Sequence, residues 1–572
     1  MKTNLLILFL IISAMVNMSS VLKADEVVVP DGTAIFDFIM GDTTSTGERN
    51  VPGRIYKLER GKVYIVTDVM EIDFDFYLVA DDDDPNNPTR PPMLVRGIYP
   101  DGSLVMNLFY ISGDNINVEF KNLLFQGVPI DNNYRNDLAV AIGGAGENVN
   151  LRLNNCVFNG WSRAAVRVRI ANINLLVNDC YFRNLVQPVH PFHGQSVTTY
   201  SGEDTLIYTN NTFFNTSSYI ILTNPGKKTN YLKFDHNTVF TTIVNPFWTP
   251  SVTNAEFTNN IFFGIHALGQ RQREIQAGWF GWWSDSPTGI MNYDTLSSDL
   301  EAQFGISDAE RRIIQRNNAW YNPQEFIDFW SNFPDSVAVT DANGDTTGWT
   351  VQPLPSTPWM NSIVQAMFDD DANYPNFVDE GTMNVDPQFD PTMTQVVVDS
   401  VVSWVTWWRN GLGWNSPDGP SRQYDFSADQ FNLPWPLPEQ LTYSNSALAT
   451  ASTEGLHLGD LNWYPDDKAQ WLTDIKNETG ATIPVNYSLE QNYPNPFNPS
   501  TVIKFSIPDQ NNVSLDVFNA LGQKVATLVN KNLSAGKYAY TFDASNLSSG
   551  VYFYTLKVGD SFSKTMKMIL MK

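Results

Sequence analysis

The chain has 572 residues, with 36 basic and 61 acidic side chains and a formal net charge of −25. This charge disfavours nucleic acids and anionic membranes as partners, because both repel an acidic surface. Five histidines and two cysteines supply few ligands for a transition metal. The length provides for two or three domains and a large core.

The first 24 residues have the pattern of a secretory signal. Lys2 precedes an apolar run, Leu5–Ile12, which is followed by small residues and a cleavage point after Ala24. The apolar run is shorter than the roughly 18 residues that a transmembrane helix needs, and no later segment reaches that length. We therefore expect an exported chain that begins near Asp25 and has no transmembrane segment.

Residues 116–265 repeat one short phrase: an alternating strand, a polar residue, then an aromatic or β-branched residue three positions on. The copies are Val118–Phe125, Leu151–Phe158, Leu175–Phe182, Leu206–Phe213, Leu232–Val239 and Ala255–Phe262. Their last residues are 33, 24, 31, 26 and 23 positions apart. Recurrence at this interval marks a repeat architecture, and the period of two indicates strands rather than helices. We predict an all-β fold, a parallel β-helix in which each coil buries its apolar face against the next.

Each copy carries one polar residue at an equivalent position, where the chain is expected to turn. These residues are Asn122, Asn155, Asp179, Asn210, His236 and Asn259, with Asn211, Asn237 and Asn260 equally available in the later copies. In a solenoid they would stack into a ladder at the turn corners and satisfy backbone groups. In these copies the chain resembles the right-handed parallel β-helix proteins of the pectin-lyase-like superfamily. This resemblance implies the fold more firmly than it implies a reaction.

Further parts of the same domain are predicted around these coils. We expect an N-terminal cap over 25–112, main coils over 113–265, an excursion over 266–316, and closing coils and loops over 317–480. Within the excursion, Ser307–Arg316 is predicted to be helical, because Ser307 and Glu310 have capping-box spacing. Tryptophans cluster in 279–283 and 404–414, either as caps over the solenoid core or as platforms for sugar rings.

Residues 487–572 contain alternating strands separated by Pro, Asn and Gly turns, which predicts a small Ig-like β-sandwich. The pattern is carried by Tyr487–Pro508, Val513–Val525, Leu547–Leu556 and Lys564–Lys572. These segments resemble the type A C-terminal sorting domain of the type IX secretion system. The resemblance implies that the secretion machinery is a partner of 487–572 and that the chain reaches the outer surface of a Gram-negative bacterium. It also implies removal of the tail, often with attachment to surface lipopolysaccharide.

A local excess of basic side chains lies between Leu151 and Val189. It comprises Arg152, Arg163, Arg167, Arg169 and Arg183, against the single acidic residue Asp179. Arginine forks bind carboxylates and sulfates through two hydrogen bonds, and a histidine can add a proton-transfer group. The hypothesis is a ligand face for an acidic polysaccharide, formed by Arg152, Arg167, Arg169, Arg183, His190 and His193.

Two other interpretations of this basic stretch stay open. The arginines could be a solvated surface that balances acidic loops, or they could take part in catalysis. In the pectate lyases that share the predicted fold, an arginine acts as base and aspartates hold calcium. This chain lacks their catalytic motifs, and no aspartate cluster lies beside its arginines. We therefore expect non-catalytic glycan binding or an extracellular structural role, with a polysaccharide lyase or glycoside hydrolase as the alternative.

Two acidic segments are candidate calcium ligands. The first contains Asp341, Asn343 and Asp345, which place oxygen donors at alternate positions without the later Gly and Glu of a complete calcium loop. The second, Asp81–Asp84, either holds calcium or is simply solvated. Cys156 and Cys180 occupy equivalent positions in consecutive coils, where a disulfide and two stacked free thiols are both open.

Overall fold

A computed structural model of the chain describes residues 25–84, 87–127, 137–144, 146–187, 190–224, 226–276, 288–341, 343, 345–412, 420, 424, 433–478 and, with short gaps, 488–571. The predicted signal, the tryptophans of 279–283 and Trp414 lie outside the described residues. The chain divides into two compact units, one of 24–468 and one that contains 469–572.

Three parallel sheets form the first unit, and their strands are numbered in chain order. In spatial order, the eleven-stranded sheet contains β1 (Glu26–Val28), β2 (Ile55–Leu58), β5 (Phe76–Ala80), β8 (Asn117–Lys121), β11 (Asn150–Asn154), β14 (Ile173–Asn178), β17 (Glu203–Thr209), β20 (Tyr231–Asp235), β23 (Asn254–Thr258), β25 (Arg312–Arg316) and β29 (Phe377–Glu380). The ten-stranded sheet contains β3 (Val63–Val66), β6 (Met93–Arg96), β9 (Leu124–Gln126), β12 (Val157–Asn159), β15 (Tyr181–Arg183), β18 (Thr212–Thr216), β21 (Thr238–Thr242), β24 (Ile261–Phe263), β26 (Ala319–Tyr321) and β30 (Met383–Asn384). The seven-stranded sheet contains β22 (Phe247–Trp248), β19 (Ile221–Leu222), β16 (Gln195–Thr199), β13 (Ala164–Val168), β10 (Leu138–Ile142), β7 (Asn107–Ile111) and β4 (Met70–Ile72).

Successive strands along the chain belong to different sheets, and each strand pairs in parallel with its equivalent in the next coil. The fold is therefore the predicted parallel β-helix. A separate antiparallel hairpin is formed by β27 (Asp335–Thr340) and β28 (Thr346–Gln352). The helices are α1 (Ile35–Met40), α2 (Gln272–Gln276), α3 (Ser298–Phe304), α4 (Gln324–Asn332), α5 (Ser362–Phe368), α6 (Pro391–Trp407) and α7 (Pro465–Glu478). Among the described residues, no helix is both long and apolar enough to cross a membrane.

The predicted polar residues lie at the turn corners. Their φ angles are positive: 60° at Asn122, 49° at Asn155, 56° at Asp179, 53° at Asn210, 52° at His236 and 61° at Asn259. Asparagine and aspartate tolerate this left-handed conformation better than most residues with a side chain, because their short polar groups bond locally. The amide of Asn155 also donates to Oδ1 of Asn122 in the coil before, at 2.8 Å. The corner assignment is confirmed.

The residue after each corner points into the solenoid and forms a second column. In the later coils this column is Asn211, Asn237, Asn260 and Asn318, whose side-chain amides are linked at 2.9, 3.2 and 2.9 Å. All four side chains are fully buried. The side-chain carbonyls of Asn237, Asn260 and Asn318 each accept the backbone N–H of the preceding Asn in the column, as Oδ1 of Asn237 does for Asn211 at 3.0 Å. Asn211, Asn237 and Asn260, the alternative candidates for the corner ladder, thus form a hydrogen-bonded column inside the solenoid.

Cys156 and Cys180 begin this interior column. Both are buried free thiols, which is one of the two states that the sequence left open. The Cys180 backbone N–H donates to Oδ1 of Asn211 at 2.8 Å, and the two thiols donate to strand carbonyls at 3.3–3.4 Å. They occupy the place that asparagine amides take in later coils.

Aromatic rings stack inside the same coils. Phe125, Phe158, Phe182 and Phe213 form a column with centroid separations of 4.6, 4.9 and 5.0 Å and nearly parallel rings. Each of these side chains is fully buried. Phe214, the next residue, points to the outer face of the ten-stranded sheet, as strand alternation requires. There it joins a second core with Trp404 and Trp408, so these two tryptophans are core residues.

The predicted helix Ser307–Arg316 is wrong in its second half. Ser307 and Glu310 do form the capping box, but only one 3₁₀ turn follows, Asp308–Glu310. Arg312–Arg316 is β25, which pairs with β23 and β29. The buried side chain of Ile313 follows the strand period and completes the core of that coil.

Residues 433–468, called the closing segment, run past several corners of the ladder. The contacts are Thr453 with Asn259, Glu454 with His236, Asn462 with Asn210, and Lys468 with Asp179. Two of the six corners lack asparagine. At one of them His236 contacts the carboxylate of Glu454, and at the other Asp179 contacts the ammonium group of Lys468. Lys468 Nζ lies 2.6 Å from Oδ1 of Asp179.

The second unit contains two antiparallel sheets. One consists of β31 (Ser488–Leu489), β32 (Ser500–Ile507) and β35 (Gly536–Asp543), and the other of β34 (Lys524–Leu533), β33 (Asn511–Asn519), β36 (Gly550–Val558) and β37 (Phe562–Leu570). Alternate residues such as Leu515, Val517, Tyr554 and Leu556 are fully buried between them. This is the predicted β-sandwich.

Candidate anion-binding groove

The arginines predicted to share one face lie on three different sheets. Arg152 is on β11 of the eleven-stranded sheet, Arg167 on β13 of the seven-stranded sheet, and Arg183 on β15 of the ten-stranded sheet. A single ligand face over all of them is therefore wrong. The physical reason is the coil: residues 15 or 16 positions apart are separated by more than half of a coil of about 24 residues.

Arg183 is a structural residue. Its side chain is about 1% exposed and pairs with Glu439 of the closing segment, while its Nη1 donates to Oδ1 of Asn159 at 3.0 Å. Its guanidinium has no access to an external ligand.

Three arginines do meet, at the outer face of the seven-stranded sheet. Arg163, Arg167 and Arg169 line one groove of about 640 Å³. The other lining residues are Asn107, Tyr110, Leu138, Ala141, Ile142, Gly143 and Gly144. Arg163 immediately precedes β13 and Arg169 immediately follows it, so one strand positions all three guanidinium groups.

Among the described residues, the groove has no negative charge of its own. None of its lining residues is acidic, and among the described residues no carboxylate forms an ion pair with any of the three arginines. The carboxylate nearest in register, Asp137, instead pairs with Arg96 at 2.7 Å in a buried bridge. Burial lowers the pKa of Arg163, and the positive charge of Arg167 lowers it further. The site is a concentrated positive charge that an external anion would neutralise.

Two tyrosines lie beside the groove arginines: Tyr110 lines the groove, and Tyr200 contacts Arg167. The guanidinium of Arg167 lies over the ring of Tyr200, 5.4 Å from its centroid, and its Nη2 lies 3.5 Å from the hydroxyl. This contact orients the fork by cation–π attraction. On the other side, Tyr110 packs over Gly143, where an added Cβ would lie only 2.7 Å from the hydroxyl. Gly143 is therefore the residue that lets Tyr110 reach the groove.

His190 and His193 lie in the next coil, beside Arg163. Their rings stack with centroids 4.1 Å apart, and the N–H of Gly194 donates to the carbonyl of Arg163 at 3.0 Å. Burial lowers the pKa of both histidines, with the charge of Arg163 adding to it, and brings the pKa of His193 to about 3. Both rings are neutral at pH 7, so they add aromatic surface and no charge.

The candidate calcium ligands have other partners. Asp341 and Asp345 flank the turn between β27 and β28, where Oδ1 of Asp341 accepts the backbone N–H of Asn343 at 2.8 Å and of Asp345 at 3.0 Å. In the other segment, Asp81, Asp82 and Asp83 each pair with a different cation, Lys57, Lys121 and Arg60. Within the described part of the chain, no three Asp, Glu, His or Cys side chains converge on a metal position. Calcium at either segment stays a prediction.

Two residues that line the groove, Arg163 and Tyr110, were absent from the predicted face, as was Tyr200, which contacts Arg167. Arg163 was counted among the basic residues, but it lies before the alternating segment that predicted the strand with Arg167 and Arg169. The tyrosines come from β7 and from the residue after β16, and only the strand register brings them beside Arg167. Aligning the sequences of successive coils along the seven-stranded sheet would have shown that these tyrosines lie near Arg167.

The comparisons with known proteins concern the second unit. Residues 491–571 match the family model of the secretion system C-terminal sorting domain. This domain marks proteins that the type IX secretion system exports to the cell surface or the extracellular space. No curated protein and no solved structure matched the chain.

Proposed function

We propose that this chain, which the type IX secretion system exports, binds an acidic polysaccharide outside the cell through Arg163, Arg167 and Arg169. The observation that supports this proposal is a groove lined by three arginines, in which no described lining residue is acidic, in a chain whose net charge is −25. A polyanion is repelled by the rest of the surface, so it must bind where the sign is locally reversed. Carboxylate and sulfate groups match the planar arginine fork.

The groove supports binding better than turnover. Glycoside hydrolases generally need two carboxyl groups beside the scissile bond, and the residues that line this groove supply none. In the lyases that share this fold, an arginine acts as base beside aspartates that hold calcium, and no described residue that lines this groove is acidic. His193, with a pKa of about 3, is too weak a base to replace that arrangement. The proposed role is therefore non-catalytic glycan binding.

Two further parts of the proposal concern the fold of the solenoid and the N-terminus of the chain. We propose that the solenoid is a pectin-lyase-like β-helix, on the basis of its three parallel sheets and stacked interior columns. We also propose that residues 1–24 are a signal removed on export, since an exported chain needs to leave the cytoplasm. Sequencing of the N-terminus of the exported protein would test the second point, and Met1 at that end would contradict it.

The binding proposal is tested by calorimetry on the full chain with a polyuronate and with a neutral glucan. We expect the polyuronate alone to bind, more weakly at high salt because screening shortens the range of the attraction. Replacing Arg167 and Arg169 together by Ala should lower affinity by at least about tenfold, because a hydrogen bond to a charged group contributes about 1.5–3 kcal/mol.

The matched control replaces Lys62 and Lys227 by Ala, which changes the net charge equally on surface outside the groove. Affinity of this control should stay within about twofold of wild type. Equal affinity in all three proteins would overturn the groove as the site. Release of unsaturated or reducing-end products from the polyuronate would overturn the non-catalytic role and favour the enzyme alternative.

A further inference from the structure

We infer that the ligand is a linear polyanion that lies along β13, at right angles to the direction in which the coils stack, and engages at least two arginines through separate anionic groups. This inference rests on the proposed function and specifies the ligand for the same groove. The relevant observation is the direction in which positive charge extends across the surface.

Along the strand, the charge is repeated. Arg163, Arg167 and Arg169 lie before, within and after β13, and all three line the groove. At about 3.3 Å per extended residue, the outer pair spans about 20 Å and the nearer pair, Arg167 and Arg169, about 7 Å. These are distances along the backbone, so one small anion can reach Arg167 and Arg169 together but cannot also reach Arg163, whereas a chain of charged sugars can.

Across the coils, the charge is not repeated. The residues in register with Arg167 are Ala141 on one side and Thr198 on the other. One coil further out, the same row continues to Tyr110 and Leu222, which are also uncharged. A polyanion that followed the stacking direction would therefore meet one arginine only. The cationic stripe follows β13.

The aromatic side chains on either side of β13 agree with this direction. Tyr200 follows β16 in the next coil and holds Arg167 by its ring, while Tyr110 stands on β7, two strands away on the opposite side. Ala141 and Gly143 between them are small, so the floor beside β13 is open. A chain placed along β13 lies between the two aromatic rings, on which sugar rings can pack.

Binding through several forks predicts a dependence on ligand length. The first contact raises the local concentration of the next anionic group, so affinity rises with each group until the ligand spans the stripe. Beyond that length no further arginine is available along β13, and affinity per chain should level off.

The test titrates the full chain with uronate oligomers from the monomer upward. Affinity should rise by about tenfold or more between the monomer and the oligomer that spans about 20 Å, then stop rising. Arg163→Ala and Arg169→Ala should each weaken binding of the long oligomers and remove part of the length dependence. Lys227→Ala, an exposed cation outside the groove, serves as the control and should match wild type.

The outcomes separate the inference from the proposed function. Affinity that is equal for the monomer and the long oligomers, yet lost in Arg167→Ala, would overturn the polymer along β13 and leave the groove as an anion site. Affinity that keeps rising well beyond the length of about 20 Å would also overturn it, in favour of a ligand that crosses many coils. Failure of every oligomer to bind would overturn the proposed function itself.

Discussion

Arg183 and Glu439, 256 positions apart in the sequence, form a buried ion pair that fastens the closing segment to β15. Nε of Arg183 donates to Oε1 of Glu439 at 3.0 Å, and the two side chains are 1% and 0% exposed. Nη2 also donates to Glu439, and the third nitrogen, Nη1, donates to Oδ1 of Asn159 in the coil before. The pair joins the late part of the chain to coils formed from its first third.

Removing one member of this pair should be costly. Arg183→Ala leaves the Glu439 carboxylate buried without its partner, and we expect a loss of about 3–5 kcal/mol in the free energy of unfolding. The control is Arg316→Ala, which removes an exposed pair with Glu380 and should cost less than about 1 kcal/mol. Chemical denaturation measures both. Similar losses in the two variants would contradict the structural role of Arg183.

The stacked phenylalanines should behave as core residues. Phe158→Ala removes a fully buried ring with stacked neighbours on both sides, at 4.6 and 4.9 Å. The cavity should cost about 3–5 kcal/mol. Ile65→Ala, at an outward and 45% exposed position of β3, should change stability by about 0.5 kcal/mol or less. A thermal shift near zero for Phe158→Ala would show that the column is not part of the core.

The interior asparagine column makes a separate prediction. Asn237→Ala removes the acceptor of the Asn211 backbone N–H and the donor to Asn260, leaving buried polar groups unsatisfied. We expect a loss of about 1–3 kcal/mol for each unsatisfied group. Asn230→Ala, which loses only an exposed bond to Asp204, is the control and should be nearly neutral. Denaturation midpoints that move equally would exclude a special role for the column.

His193 should make the fold sensitive to acid. Its pKa is about 3 in the folded chain, against an ordinary value of 6.5, because burial and the nearby positive charges disfavour the imidazolium. As pH falls below about 6.5, the unfolded chain binds a proton at this position that the folded chain does not, so stability falls toward about pH 3. His193→Gln should lose stability less steeply over that range. Parallel pH profiles for the variant and wild type would contradict the low pKa.

His236 should have the opposite effect. Burial lowers its pKa, but the hydrogen bond to Glu454 and the charge of Asp235 outweigh burial, so its net pKa is raised. The resulting stabilisation is present below the ordinary pKa and is lost as pH rises through the folded value. His236→Asn, which restores the usual corner residue, should remove this stabilisation at low pH and change little at high pH. A loss confined to high pH would reverse the assignment.

The repeated parts of the fold were predictable because one physical requirement recurs in each coil. The positive φ of Asn155 and the inward ring of Phe158 follow from a local phrase that six copies display. The sandwich was predictable for the same reason, through alternation between clear turns. In contrast, Arg312–Arg316 was wrongly predicted to be helical. The prediction relied on a capping box, and a capping box signals only the first turn of a helix. Whether that turn continues depends on the tertiary pairing of β25.

The groove was only partly predictable. The excess of arginines was visible in the sequence. However, Arg152, Arg167 and Arg183 follow one another at intervals of 15 and 16 residues and lie on three different sheets. The sheet on which each arginine lies depends on the number of residues in each turn of the coil, and no single residue type determines that number. The partner of Arg183 lies 256 positions away, so no local pattern could distinguish that buried arginine from the accessible Arg167.

The central claim is that Arg163, Arg167 and Arg169 contact an acidic polysaccharide, and arginine-specific dicarbonyl modification tests it most directly. The full chain is modified with and without a saturating polyuronate, and peptide mass spectrometry quantifies each arginine. The account predicts that the ligand strongly slows modification of these three residues and leaves that of Arg60 and Arg316 unchanged. Protection of Arg60 or Arg316 with continued modification of Arg167 would contradict it.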